Sequence, residues 1–303
     1  MGCRGKIGKV FMFVFALSIF FFISPGSGFS ASLSPDIQQL SGITISKEVL
    51  WSPGRLAVGA DGTLYVVDSY KNHILKFDRD GNYLGDISYP RVSAIAVTPD
   101  GTLYIGSHQD YAVSIINNGQ VIGHLGAAKD EFRSIRDIAY DPSTGHIYVA
   151  DNVGNAVRIF DAAGRDLGSI AGVNLPICVE VTADYIYVID APVVKEQQGR
   201  TTASRISIFD KTHNLVSSID DYGKNQMFRP TDIAIANGIL YITDAALQSV
   251  VLFDVSGNLL GDIQSIAGPM RPAVSLAISS DGILYVSSSQ TQGIQVFAIG
   301  GQQ

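Results

Sequence analysis

A chain of 303 residues with 46% hydrophobic and 16% charged residues has ample material for a folded core, which excludes wholesale disorder. Its net charge of -7 argues against nucleic acid and anionic membrane surfaces as partners. Only two cysteines, Cys3 and Cys178, are present, too few for a disulfide-stapled scaffold.

Residues 1–30 read as a secretory signal. Arg4, Lys6 and Lys9 form its basic start, residues 10–23 its apolar stretch, and Pro25 and Gly26 break it. The competing reading is a membrane anchor, but the apolar stretch is shorter than the about 20 residues that span a bilayer. Cleavage after Gly28 or Ser30 would remove three positive charges and no negative ones, taking the net charge from -7 to -10. The expectation is an exported protein, periplasmic or extracellular, with no stable membrane span after signal removal. It would keep Cys178 alone, as a small buried residue.

Residues 31–39 read as a linker and 40–303 as the folded domain. A Leu/Ile-Tyr-Val/Ile triplet recurs at Tyr65, Tyr104, Tyr148, Tyr187, Tyr241 and Tyr285, at spacings of 39, 44, 39, 54 and 44 residues. Each repeat opens with a short strand, such as Leu56-Ala57-Val58 or Ile138-Ala139-Tyr140, followed in five repeats by a glycine turn such as Asp61-Gly62. The tyrosine strand comes next, then a third strand ending in an aromatic residue and usually an acid (Phe77-Asp78, Phe160-Asp161, Phe209-Asp210, Phe253-Asp254), then a fourth. The tyrosine strands are nearly continuous apolar runs, the pattern of sheets covered on both faces. Six such units predict an all-β, six-bladed β-propeller of four-stranded antiparallel blades. The sixth unit lacks a fourth strand, and the stretch from Ile43 to Val49 is expected to supply it and close the ring.

Asp68-Ser69-Tyr70-Lys71-Asn72-His73-Ile74, followed by Lys76-Phe77-Asp78, resembles the motif of the NHL repeat family. Residues 151–161 and 244–254 are similar in weaker form. The resemblance implies a propeller that serves as a binding scaffold, since such propellers do so in many settings and act as enzymes in a few. Where the family commonly has glycine before the inner strand, this chain has Arg55, Ala94, Asp137, Cys178, Asp232 and Ser275, which would ring one mouth of the central channel. Glu180 stands one step deeper, where the other five repeats carry alanine.

Asp137, Glu180 and Asp232 are therefore the candidate metal ligands, with Ca²⁺ the cation that three carboxylates suit. Alternatively, Arg55 balances them without a metal. Asp68, Asp151, Asp190 and Asp244 recur after the tyrosines and are expected to bond loop amides. The five histidines show no metal-ligand spacing, and His108 alone is expected near the loop face. Arg91, Arg133, Arg136, Lys195, Arg200, Arg205, Lys224, Arg229 and Arg271 gather on that face and would dock an acidic protein, peptide or glycan. The fourth repeat carries an insertion at residues 191–204, a further place for partner contact. The leading expectation is a non-catalytic docking scaffold. The alternative is a metal-dependent propeller enzyme resembling lactonases or amidating lyases.

Overall fold

A computed structural model describes residues 37–40, 50–108, 111–126, 131–191, 193–196, 199–202, 204–220, 229–263, 273–288 and 293–300, with the side chains of 193–196, 199–202 and 273 excepted. The secretory-signal and most of the linker readings lie outside these residues. Among the described residues no helix is long and apolar enough to cross a membrane.

Six four-stranded antiparallel sheets form the blades. Their inner strands are Pro53–Val58, Val92–Val97, Ile135–Tyr140, Cys178–Val181, Pro230–Ala236 and Ala273–Ile278, in blades one to six. The tyrosine strands follow, for example Leu64–Asp68 and Ile147–Asp151, and are buried throughout their length in blades one, two and three. The glycine turns are as expected: Gly62, Gly101, Gly145, Gly238 and Gly282 all have φ between 72° and 83°, a conformation a side chain resists.

Burial explains why the repeats must come as a ring. Six separate apolar clusters lie between successive blades, one per interface. Leu64, Phe77, Tyr285 and Val296 meet between blades six and one, while Tyr65, Ile74, Ile95 and Ile116 meet between blades one and two. No blade covers both its faces alone, so stability comes from neighbours.

The closing strand differs from the sequence reading. Ile37–Gln39, taken as linker, pairs antiparallel with Ile294–Ile299 as the outer strand of blade six, and the Leu40 amide continues the ladder to Val296 at 2.9 Å. Ile37 packs on the cluster between blades five and six, and Leu40 on the one between six and one. Two apolar contacts on opposite faces fix this register, whereas the β-branched run that favoured Ile43 to Val49 lies outside the described residues. The insertion in blade four contains a two-stranded hairpin, Val193–Glu196 with Gly199–Thr202.

Candidate functional site

Five inner strands carry a register shift immediately before the channel-ring position, as between Pro53 and Leu56, Ile135 and Asp137, and Pro230 and Asp232. A bulge of this kind re-aims the side chain that follows it. Four of the ring residues join into one buried network with blade-to-blade bonds. Val179 N donates to Asp137 Oδ2 (3.0 Å), and the Cys178 thiol to Asp232 Oδ1 (3.2 Å). Asp232 Oδ2 accepts from Ser275 Oγ (2.5 Å) and Leu276 N (3.0 Å), and Ser275 Oγ accepts from Leu56 N (3.1 Å). Blades three to six and blade one are thus linked edge to edge.

Arg55 crosses this ring. Its Nη2 donates to the carbonyls of Arg136 (2.9 Å) in blade three and Ile177 (3.1 Å) at the entry to blade four. Its Nη1 stands 3.0 Å from Asp232 Oδ1 and 3.8 Å from Asp137 Oδ1. Burial works against the guanidinium charge, but the two carboxylates outweigh it and raise the pKa. For Asp137 the balance is reversed. Burial pushes its pKa up to about 6, Arg55 opposes this, and Asp232 adds to it. The Cys178 thiol is raised well above its ordinary value by burial and then by the two aspartates, so it is a proton-bearing donor rather than a reactive thiolate.

Beyond the ring lies an axial cavity of about 220 Å³. It is lined by the inner strands and contains Arg55, Asp137, Glu180 and Asp232. Glu180 is half-buried. Its carboxyl lines the cavity, and the ring at its level is otherwise Ala57, Ala139, Ala234, Ala277 and Ala96. Among the described residues nothing donates a hydrogen bond to it. Burial first, and then Asp137 and Asp232, raise its pKa well above the ordinary carboxylate range.

The three carboxylates expected to converge are therefore all in one cavity, yet they play separate parts. The group with metal-ligand spacing is Asp137, Cys178 and Asp232, whose ligand atoms lie within 4.8 Å of one another. That spacing could hold a metal ion. Cys178 was the member missed by sequence reasoning. Its signal was positional, because it occupies the same place in its repeat as Asp137 and Asp232, but a lone cysteine read as core.

The recurring aspartates have the structural task expected of them. Asp68 accepts from the amides of Trp51 (2.7 Å), Tyr70 and Lys71 (both 3.1 Å). Asp151 accepts from Arg133 (3.1 Å) and Ser134 (2.7 Å), and Asp244 from Arg229 (2.9 Å) and Ala246 (2.7 Å). Each ties the entry of its blade to the loop after the tyrosine strand. Of the basic residues expected on the loop face, Arg91, Arg133, Arg136 and Arg229 are exposed. Arg205 is drawn into an ion pair with buried Asp190 (3.0 Å). The side chains of Lys195, Arg200, Lys224 and Arg271 lie outside the described residues. His108 is exposed, and its imidazole is held below its ordinary pKa by partial burial and by Arg136 and Arg91. It does not line the axial cavity.

No curated protein sequence matches the chain. Among solved structures it is similar to XC5397 of Xanthomonas campestris, described as a gluconolactonase important in glucose secondary metabolic pathways. The likeness has a TM-score of 0.64 at 17% identity and covers 92% of this chain and 99% of that one. It corrects the leading expectation of a non-catalytic scaffold, because that protein, a propeller of the same architecture, is described as an enzyme. The family model of the NHL repeat matches residues 132–160, whereas the motif looked strongest at residues 68–78. The matched stretch runs unbroken from the blade entry at Phe132 through the inner and tyrosine strands to Phe160. The chain therefore carries an NHL repeat in the third blade of a six-bladed β-propeller.

Proposed function

We propose that the protein is a hydrolase of small cyclic esters, acting in the axial cavity with Glu180 as its proton-transfer group. The observation that carries this reading is Glu180 itself. A carboxyl projecting into a cavity from a layer of alanines, without a hydrogen-bond donor and with a strongly raised pKa, serves no evident purpose in holding the blades together. Its neighbours in the ring are consumed by blade-to-blade bonds; Glu180 is not. The cavity volume of about 220 Å³ suits a single small ring and is too tight for a peptide or a glycan chain. The likeness to a lactonase supports the reaction class, and at 17% identity it lends no residue roles.

In this scheme water adds to the ester carbonyl carbon and the acyl C–O bond of the ring breaks. Glu180 gives its proton to the departing ring oxygen and recovers one from the attacking water, so that lactone and water yield the open hydroxy acid. Burial, and then Asp137 and Asp232, keep Glu180 protonated into the pH range where an ordinary glutamate has lost its proton.

The test is proton release from a panel of four-, five- and six-membered lactones. Turnover is expected, with a loss of at least about a hundredfold in Glu180→Gln. Absence of turnover on every ring size, or undiminished turnover in Glu180→Gln, overturns the reading. We also propose that the chain is exported, on the strength of Arg4, Lys6, Lys9 and the apolar stretch after them. Amino-terminal sequencing of secreted or periplasmic material should begin at residue 29 or 31; an intact amino terminus contradicts it.

A further inference from the structure

The geometry points to Arg55 as the protein's own axial cation: its guanidinium stands in the place that a metal ion would need, and clamps four blades across the channel. The carboxylates Asp137, Glu180 and Asp232 raised the expectation of a metal on this axis, and the donor set can be tested against it.

A calcium ion takes six to eight oxygens at about 2.3–2.6 Å. Here three of the four carboxylate oxygens already accept hydrogen bonds. Asp232 accepts from Cys178, Ser275 and Leu276 and faces Arg55, while Asp137 accepts from Val179 and faces Arg55 from its other oxygen. The third member, Cys178, offers a sulfur atom, a soft donor that suits a hard cation poorly. The cluster therefore does not fit calcium. A softer ion such as Zn²⁺ would suit the Asp-Cys-Asp spacing better, but the resident guanidinium already lies 3.0 Å from Asp232.

Arg55 is also more than a counter-ion. Its planar fork meets two main-chain carbonyls and two carboxylates at once, from blades three, four and five, while its own strand belongs to blade one. A metal would supply the same neutralisation of Asp137 and Asp232 without the reach to Arg136 and Ile177. The inference does not depend on the lactone reading, because metal binding is measured without substrate.

The experiment is metal analysis of the purified wild type by mass spectrometry, followed by thermal unfolding with Ca²⁺ and Zn²⁺ in the wild type, Arg55→Lys and Arg55→Ala. The wild type should carry no stoichiometric metal and show no shift in Tm with either ion. Arg55→Lys, which keeps the charge, should behave the same way. Arg55→Ala uncovers the Asp-Cys-Asp group, and Zn²⁺ should then raise its Tm in a saturable manner that Cys178→Ser abolishes. If Arg55→Ala does not fold, Arg55→Met takes its place. Stoichiometric metal in the wild type that is lost in Asp232→Asn overturns the inference, as does a folded Arg55→Ala or Arg55→Met that gains no Zn²⁺ response.

Discussion

Replacing Asp137 by asparagine separates the electrostatics of the ring from its hydrogen bonding. Asparagine keeps the shape and an oxygen for the Val179 amide, now 3.0 Å from Asp137 Oδ2, but cannot ionise. In the folded protein the carboxyl titrates at about 6 rather than at its ordinary 3.8, chiefly because it is buried. The folded state then binds more protons than the unfolded chain between these two values. Stability falls as the pH rises through that window and stays lower above it. The shift corresponds to up to about 3 kcal/mol. Urea denaturation of both proteins between pH 4 and 7 measures it. The stability of Asp137→Asn minus that of the wild type should increase with pH across this range by up to about 3 kcal/mol. A difference that is flat, or that shrinks with rising pH, refutes the assignment of Asp137 as a carboxylate kept against its burial cost.

Four other outcomes follow from the same structure. Asp151→Ala leaves the amides of Arg133, Ser134 and Gly154 without their acceptor and should cost about 2–4 kcal/mol, measured by denaturant unfolding. A methyl group at Gly106 would sit 2.5 Å from Ile135 Cγ2, so Gly106→Ala should cost about 1–3 kcal/mol, and less when combined with Ile135→Ala than the two single changes add up to. A chain starting at Leu40 loses the outer strand of blade six and bares the edge of Ile294–Ile299; size-exclusion chromatography should show self-association that the longer chain lacks. The lactone-hydrolysis rate, if Glu180 acts as an acid, should fall as the pH rises through its raised pKa and not at the pH of an ordinary glutamate.

Most of the fold was legible in the sequence because a propeller repeats its physics. Tyr65 and its five counterparts, the glycine turns and the acids after Phe77, Phe160, Phe209 and Phe253 each answer a local demand of one blade, and the demand recurs. Asp78, Asp161, Asp210 and Asp254 do accept turn amides, as at Asn82 N (2.8 Å) and Asn258 N (2.9 Å). The closing strand was less legible. Its choice rests on two side chains, Ile37 and Leu40, packing against blades distant in sequence, and no local propensity distinguishes Ile37–Gln39 from the richer run after it.

The ring of residues at the channel mouth was legible in position and not in partnership. Asp137, Cys178 and Asp232 could be aligned from the repeat, but the bulge that precedes Asp137 and Asp232 leaves no mark in residue type. The span of Arg55 across the axis was equally hidden, since its partners at Arg136, Ile177 and Asp232 lie in three other blades. Glu180 was the exception. A glutamate among five alanines announces a departure from the repeat, and the repeat is what the core requires.

The most direct test is a crystal structure of the protein grown in calcium. The Arg55 guanidinium should lie within hydrogen-bonding distance of the Arg136 and Ile177 carbonyls and against Asp232, with Glu180 facing the cavity beyond it. A metal ion coordinated by Asp137 and Asp232, with Arg55 turned out of the ring, would contradict it.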